Sequence, residues 1–273
     1  LTSEVLEHQP PALQNFLLQT SILERMCAEL CAAVVTPAQA DAAAPAQLAL
    51  PTASALSQAQ ATLEGLERAN LFVVALDDAG RWYRYHPLFA ALLHKRLLQT
   101  ATSTVGELHR RAARWYEQAG LIDMAVQHAF ATTDLDLAID LIARQATAAW
   151  LRGDLRQLAG WLARLPADVR ATNPAIALAS LWVSVLSRQL PDLEQALATT
   201  PALQIDTPSP ALAGELALLR ATVALFHAQY DRVIDYAQAA LQHFDRQPLP
   251  PRELALRAAA TLNLGLAQRR QGN

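Results

Sequence analysis

The stretch between residues 71 and 89 constrains the fold of this chain more than any other. It starts with the apolar run Leu71–Leu76, passes through the turn-forming residues Asp-Asp-Ala-Gly at 77–80, and ends in Trp82-Tyr83-Arg84-Tyr85. Two β-prone runs around such a turn predict a β-hairpin. Pro87 follows and suits the first position of a helix. The hairpin is the one β-structure that the sequence predicts, and it separates two halves with helical patterns.

Composition supports helices on both sides of the hairpin. Of the 273 residues, 52% are hydrophobic and 17% are charged, and alanine and leucine, which favour helices, supply most of the apolar part. A net charge of −3 argues against a surface that neutralises phosphates, so we expect no direct nucleic-acid partner. No apolar run reaches membrane-spanning length, and no signal segment opens the chain, so we expect no membrane partner.

Residues 1–101 are predicted to form a winged-helix domain, in which short helices precede a two-stranded wing. In DNA-binding domains of this order the third helix carries basic or amide side chains into the major groove. The third helix here has one basic residue, Arg68, among acidic and amide side chains, which favours a scaffold role over DNA reading. The predicted segments are helices over 2–9, from Pro11, over 24–35, 54–69 and 87–98, a loop over 36–51 and a polar connection over 99–105.

Residues 102–273 are predicted to form a tetratricopeptide-like (TPR-like) α-solenoid. Helix-ending signals recur at intervals of roughly 33 to 43 residues, a period typical of stacked helix pairs. A second helix with an acidic residue near its start is expected after each of the first four signals, and a non-repeating helical bundle stays the alternative. The signals are Ala119-Gly120, Arg152-Gly153, Arg188-Gln189, Ala228-Gln229 and Gln271-Gly272, and the acidic residues are Asp123, Asp154, Asp192 and Asp231.

The two cysteines, Cys27 and Cys31, lie four positions apart on a predicted helix and share one face. A disulfide within one helical turn is geometrically poor, and no further ligands complete a zinc set. We therefore expect two buried, reduced thiols, as in a reducing cytoplasm. The chain starts without methionine and stops in mid-pattern, which suggests a piece of a larger protein.

Five stretches of the chain resemble the MalT-like family, the large ATP-dependent transcriptional regulators in the LuxR-type branch of the bacterial signal-transduction ATPases. The resemblance covers about the first 165 residues; beyond them only generic helical repeats are recognisable. The stretches are LTSEVLEHQPP from Leu1, FLLQTSIL from Phe16, LERANLF from Leu66, WYRYHPLF from Trp82 and LHRRAARWY from Leu108.

The resemblance implies that this chain is the middle of a longer regulator. Such proteins place an ATPase domain before the winged helix and a DNA-binding domain after a helical-repeat sensor. The chain has no Gly-x-x-x-x-Gly-Lys-Ser/Thr loop, so we expect no cofactor in it, and ADP or ATP only in the parent protein. The implied partners are the protein's own upstream ATPase domain and, on the repeats, a small-molecule inducer or a regulatory protein.

His86 is the residue that matches the family's winged-helix histidine, which reaches the β-phosphate of ADP in the neighbouring ATPase domain. An imidazole suits this role because it donates a proton and titrates near neutrality. The alternative is a histidine that is hydrogen-bonded within the hairpin. The other histidines lie singly in helices without metal-binding spacing, so solvated or hydrogen-bonded positions are expected for them: His8, His94, His109, His128, His227 and His243.

On the repeats, Trp182 and Arg220 fall on the first helices of pairs, which line the concave surface of a solenoid. They are weak candidates to offer an aromatic face and a guanidinium to a ligand; the alternatives are a core tryptophan and a solvated arginine. No catalytic motif is recognisable, so we expect no enzyme. The sequence favours a non-catalytic sensor fragment that relays ligand or partner binding to the missing ATPase domain, and the alternative is a constitutive protein-interaction scaffold.

Overall fold

A computed structural model describes residues 6, 9–35, 52–69, 72–132, 134–189, 192–204, 208–245 and 248–272. The chain divides into two compact units, residues 1–138 and 139–273. The loop predicted over 36–51 and most of the helix predicted over 2–9 lie outside the described residues. The first unit continues past the predicted domain boundary at residue 101, because it includes two further helices, and that boundary stays a prediction.

The first unit consists of short helices and one two-stranded sheet, as the sequence predicted. Prolines start two of its helices, since Pro11 and Pro87 each occupy a first helical position, where a missing amide proton costs little. Thr52 caps another by accepting a hydrogen bond from the amide of Ala55. The elements are α1 Pro11–Thr20, α2 Ala28–Val34, α3 Ala53–Arg68, β1 Val73–Ala75, β2 Tyr83–Tyr85, α4 Pro87–Thr100, α5 Thr102–Gln118 and α6 Ile122–Phe130.

The predicted hairpin is confirmed, with strands shorter than the sequence suggested. β1 and β2 pair antiparallel, with Val73 opposite Tyr85 and Val74 opposite Arg84. The carboxylate of Asp77 fixes the turn by accepting hydrogen bonds from the amides of Arg81, at 2.8 Å, and Trp82, at 3.3 Å. The bond from the Arg81 amide is the main cause that lowers the pKa of Asp77.

The helix predicted to begin at Glu24 begins only at Ala28, so its first turn was predicted wrongly. Met26 is extended and pairs with Tyr83: the amide of each residue donates to the carbonyl oxygen of the other, at 2.8 Å. The amide and carbonyl groups of Met26 are thus hydrogen-bonded to strand β2 and are not available for the first turn of a helix. Cys27 and Cys31 are free and buried, as predicted, and burial raises the pKa of Cys27 to about 12.

The polar connection predicted over 99–105 is also wrong, because α4 and α5 are separated by Ala101 alone. The side-chain hydroxyl of Thr102 donates to the carbonyl oxygen of Leu98, and that of Thr104 donates to the carbonyl oxygen of Ala101 at 2.8 Å. Hydroxyl groups that bond the backbone locally allow these polar residues to enter a helix.

All five predicted helix ends are present, which confirms the repeat pattern. Each is followed by a residue with positive φ, between 54° and 88°, and this left-handed residue reverses the chain after the helix. Of the four acidic residues, only Asp192 caps its helix with a side-chain hydrogen bond. The left-handed residues are Gly120, Gly153, Arg188, Ala228 and Gly272.

The second unit contains helix pairs around a core of large apolar side chains, among them Trp182, Leu218 and Phe244. None of the described helices is long and apolar enough to cross a membrane. Helix α7 begins just before this unit. The elements are α7 Asp136–Arg152, α8 Leu155–Ala163, α9 Ala167–Thr172, α10 Pro174–Leu186, α11 Leu193–Thr199, a 3-10 turn Pro201–Leu203, α12 Pro210–Phe226, α13 Tyr230–His243 and α14 Pro251–Gln271.

Candidate functional site

His86 lies at the exit of the wing, between β2 and α4. Its backbone is fixed on both sides: its amide donates to the carbonyl oxygen of Phe72 at 2.7 Å, and its carbonyl oxygen accepts from the amides of Phe89 and Ala90 at 2.9 and 3.0 Å. The imidazole is exposed and makes no hydrogen bond to any residue that the structure describes. His86, the residue predicted to contact a nucleotide, therefore has an exposed side chain on a backbone that hydrogen bonds fix in place.

Phe72, which accepts the hydrogen bond from His86, has φ of +57°, an unusual conformation for a bulky residue. Backbone strain of this kind costs on the order of 1–3 kcal/mol and persists only where the surroundings enforce it. The phenyl ring of Phe72 packs on that of Phe89, with ring centroids 5.0 Å apart. Phe89 also meets Tyr85 edge-on, with ring centroids 5.9 Å apart. These aromatic contacts fix the start of α4 against the hairpin.

One face of the hairpin is open and largely apolar; we call it the wing face, and define it as Phe72, Val74, Leu76, Arg84 and His86. Its members alternate along the strands with buried residues, as side chains on one side of a sheet must. The three apolar members are 37%, 49% and 40% exposed, in chain order. An exposed apolar face that also carries an arginine and a histidine is typical of interaction surfaces.

Leu88, the second residue of α4, lies two positions after His86 and is also exposed. Its side chain is 76% exposed, the largest exposure among the large hydrophobic residues that the structure describes. An apolar side chain beside an unpartnered histidine gains free energy if a partner covers both.

A chain of ring contacts leads from the wing to the helix pair α5 and α6. Trp82, which directly precedes β2, meets Trp115 on α5 edge-on, with ring centroids 6.4 Å apart. Trp115 contacts Tyr116 at 5.3 Å, and Tyr116 stacks on His128 of α6 at 5.3 Å. These ring contacts connect the wing to the helix pair α5 and α6.

His109 on α5 and His128 on α6 form a pair that the sequence analysis missed, since it treated these histidines as single. Their Nδ1 atoms are 2.9 Å apart, so one imidazole donates and the other, which must be neutral, accepts. Burial lowers the pKa of each to about 4, aided by His94 for His109 and by His109 for His128. The signal in the sequence was a histidine on each helix of one predicted hairpin.

Trp182 is buried, with 1% of its surface exposed, so its ring does not lie open on a concave surface. It stacks on Trp150 at 4.4 Å, and its indole nitrogen donates to Oε1 of Glu215 at 3.0 Å. Arg252 donates to Oε2 of Glu215 at 2.6 Å and to the hydroxyl of Thr147 at 2.8 Å. This buried cluster unites α7, α10, α12 and α14; ligand contact by Trp182 stays a prediction.

The charge state of this buried cluster follows from its hydrogen bonds. Burial raises the pKa of Glu215, against the attraction of Arg252 and the bond from Trp182. Both carboxylate oxygens accept from donors, so the ionised form of Glu215 is the one that fits this arrangement.

Arg220, the other ligand candidate, lies on α12 and makes a two-pronged ion pair with Glu194 of α11, at 2.8 and 3.3 Å. Its side chain is 32% exposed, so the guanidinium remains reachable from solvent. A role in ligand binding stays a prediction for this residue too. Among the described residues, no group of three or more His, Cys, Asp or Glu side chains is arranged to hold a metal ion.

Comparisons with known proteins find related sequences. The family model "MalT winged helix domain" matches residues 2–105. The serine/threonine-protein kinase PknK of Mycobacterium tuberculosis is 30% identical over 262 residues, which are 92% of this chain and 21% of that protein. The HTH-type transcriptional regulator MalT of Klebsiella pneumoniae is 28% identical over 245 residues, which are 89% of this chain and 25% of MalT.

The chain therefore spans a quarter or less of the length of these relatives. The resemblance read from the sequence is confirmed, and it extends beyond the first 165 residues on which the motifs lie. Residues 2–105 are a winged-helix domain of the MalT type, and about nine-tenths of the chain is similar to parts of PknK and MalT.

Proposed function

We propose that this chain is a non-catalytic regulatory part of a larger, cytoplasmic, ATP-dependent transcriptional regulator, and that its wing face docks on an ATPase domain located before Leu1. The observation that carries the proposal is the wing face itself, where Phe72 and Val74 are exposed beside the imidazole of His86, which makes no hydrogen bond to a described residue. A rigid, partly apolar edge of this kind gains free energy when a partner removes it from water.

In the docked state, the imidazole of His86 donates a hydrogen bond to a phosphate of ADP held by the ATPase domain. Arg84 lies two positions earlier on the same face and adds a positive charge to it. Hydrogen bonds from such donors to phosphate oxygens are charge-assisted and strong. The nucleotide and the groups that bind the rest of it belong to the ATPase domain, so this chain contributes recognition and no chemistry.

The helical repeats bias this docking when an inducer or a regulatory protein binds them. The contact between Trp82 and Trp115 supports the relay, because it joins the wing to the first helix of the repeat region. A ligand shifts such an equilibrium only by its difference in affinity for the docked and undocked forms. The repeats therefore have to change their helix packing on binding.

DNA recognition by the winged helix itself is not part of the proposal. Helix α3 carries Gln60 and Glu64, hydrogen-bonded to each other at 2.8 Å, at positions where a recognition helix needs free donors for bases and phosphates. Arg68 is the basic residue of that helix, and its Nε donates to the carbonyl oxygen of Glu64. Operator binding is expected to come from another part of the regulator.

The proposal is tested by titrating this chain into the separately produced ATPase domain of the same regulator, loaded with ADP, in a calorimeter. We expect saturable binding that weakens at least about tenfold in Val74→Asp, at a wing-face residue that is 49% exposed, because a charge in an apolar contact costs more than 1.4 kcal/mol. The matched control is Leu121→Asp, since Leu121 is also exposed, at 42%, but lies outside the wing. Equal affinities for both variants, or no binding at all, would remove the wing face as the docking surface.

A further inference from the structure

The outer face of α4 is largely apolar; we call it the α4 face, and define it as Leu88, Ala91, Leu92, Lys95 and Leu98. Spacings of three, one, three and three positions place these residues on one side of the helix. Leu88 and Leu98 are 76% and 43% exposed, and Ala91 and Lys95 are exposed as well. A helix on the surface of a protein in water normally carries polar side chains on this side.

The opposite side of α4 supplies the contacts that hold the helix in the first unit. Phe89, Leu93 and Leu97 are at most 2% exposed. The α4 face is therefore a second apolar side on a helix whose first apolar side is buried. Covering it with a partner removes further apolar surface from water and gains free energy.

Lys95 is the only charged member of the α4 face and the only lysine in the chain. Its side chain is exposed and forms no ion pair or hydrogen bond with any residue that the structure describes. Helix α4 contains no aspartate or glutamate, and neither does α1, which packs against it. We therefore expect the partner to supply a carboxylate, because complementary charges fix the register of an interface.

The α4 face adjoins the wing face, since Leu88 follows His86 by two positions. Arg84 and His86 are the polar members of the wing face, so the two faces together carry basic side chains and no carboxylate. Leu88 and Leu98 are ten positions apart, roughly 15 Å along a helix. A domain that docks on the wing face can therefore cover the α4 face at the same time.

We propose that the α4 face packs against an amphipathic helix of the ATPase domain, and that an aspartate or glutamate of that helix pairs with Lys95. The inference rests on the docking proposed above and adds a second contact to it. Side chains spaced three or four residues apart form a row that fits the groove between such rows on another helix. An anionic membrane suits the face less well, because lipid-binding segments carry clusters of about four to eight basic residues.

Carbodiimide cross-linking of the intact regulator in its ADP-bound form tests the proposal. The reagent joins a lysine amine to a carboxylate in direct contact through an amide bond, and digestion followed by mass spectrometry identifies both residues. We expect Lys95 to be joined to an aspartate or glutamate of the ATPase domain, in a segment with apolar residues three or four positions away on both sides. The cross-link should be absent in Lys95→Arg, which keeps the charge but has no amine that reacts.

The release of labelled ADP from the same protein measures the effect of the contact. Lys95→Glu should release ADP at least about fivefold faster than the wild type, because it brings two like charges together. Lys95→Arg keeps the charge and should stay within about twofold of the wild type. The matched control is Arg156→Glu, at an exposed arginine of α8, which should also stay within about twofold.

Three outcomes would overturn the proposal: no cross-link between Lys95 and the ATPase domain, a cross-link to a second copy of the chain instead, or equal ADP release from Lys95→Glu and Arg156→Glu. Binding of residues 1–273 to vesicles of phosphatidylcholine and phosphatidylserine in equal parts, if lost in Lys95→Glu, would assign the face to a membrane and overturn it too. Val74→Asp separates this failure from that of the docking itself. If Val74→Asp still weakens binding to the ATPase domain, only the α4 contact is wrong.

Discussion

The wing and the helical array contain polar side chains in opposite situations. On the wing, the imidazole of His86 is exposed and unpartnered among the described residues, while its backbone is fixed by three hydrogen bonds. In the array, Glu215 is 3% exposed, and both of its carboxylate oxygens accept hydrogen bonds. The array uses its polar groups to hold helices together, whereas the wing uses a rigid backbone to present polar groups outwards. The exposed groups of the wing are therefore the ones to test for function, and the buried groups of the array are the ones to test for stability.

The largest expected effect concerns the buried pair of His109 and His128. Both have a pKa of about 4 in the folded protein against 6.5 in an unfolded chain, so the unfolded chain binds more protons between these values. The free energy of unfolding therefore decreases as the pH falls from about 6.5 to about 4. At 1.36 kcal/mol per pKa unit, a shift of about 2.5 units corresponds to about 3.4 kcal/mol for each histidine and on the order of 7 kcal/mol for the pair.

Urea denaturation of the intact chain between pH 7.5 and pH 4.5 measures this slope. The double variant His109→Gln/His128→Gln should flatten it, because the two groups that titrate are removed. Gln127→Ala, which removes an exposed side chain that does not titrate, next to His128, should leave the slope unchanged. A slope that survives in the double variant would contradict the assignment to the buried pair.

The next effect tests the ion pair of Arg252 and Glu215. Arg252→Leu leaves a buried carboxylate without its cation, and we expect a loss of about 3 kcal/mol in the free energy of unfolding at pH 7. Arg220→Leu breaks an ion pair with Glu194, whose side chain is 65% exposed, and should cost less than about 1 kcal/mol. Equal losses in the two variants, measured by urea denaturation, would show that burial does not distinguish the two ion pairs.

The smallest effect on stability is expected at the wing. Leu88→Ala removes a side chain that is 76% exposed and should change the melting temperature by less than about 2 °C, because exposed substitutions stay within about 0.5 kcal/mol. Leu93→Ala, at a fully buried position of the same helix, should cost about 3 kcal/mol. If the melting temperature of Leu88→Ala falls strongly, the side chain of Leu88 stabilises the fold itself, and its exposure does not indicate a partner.

Local sequence signals predicted much of this fold because the interactions that fix its turn and its helix ends join residues that are close in the sequence. The turn at 77–80 is held by the side chain of Asp77, three residues from Gly80, so the hairpin could be read directly. Glycine marked three of the five helix ends. Arg188 and Ala228 follow the other two with φ of +54° and +55°, so residues other than glycine adopt the left-handed conformation there.

The signals that failed concern contacts between distant residues. Met26 sits in a helix-like pattern, yet its backbone pairs with Tyr83, and nothing near Met26 encodes that bridge. The pairing of His109 with His128 depends on how two helices pack, which sequence spacing alone does not fix. The cluster around Glu215 joins residues more than thirty positions apart, so Trp182 was identified as notable without its partners.

Nucleotide retention by the intact regulator tests whether His86 contacts the ADP that the ATPase domain holds. The protein is loaded with labelled ADP, freed of unbound nucleotide, and the dissociation rate is measured for the wild type, for His86→Ala and for His227→Ala, an exposed histidine of the array. We expect ADP to leave His86→Ala at least about tenfold faster, because a charge-assisted hydrogen bond to a phosphate contributes about 1.5–3 kcal/mol. Identical dissociation rates in all three proteins would contradict the account.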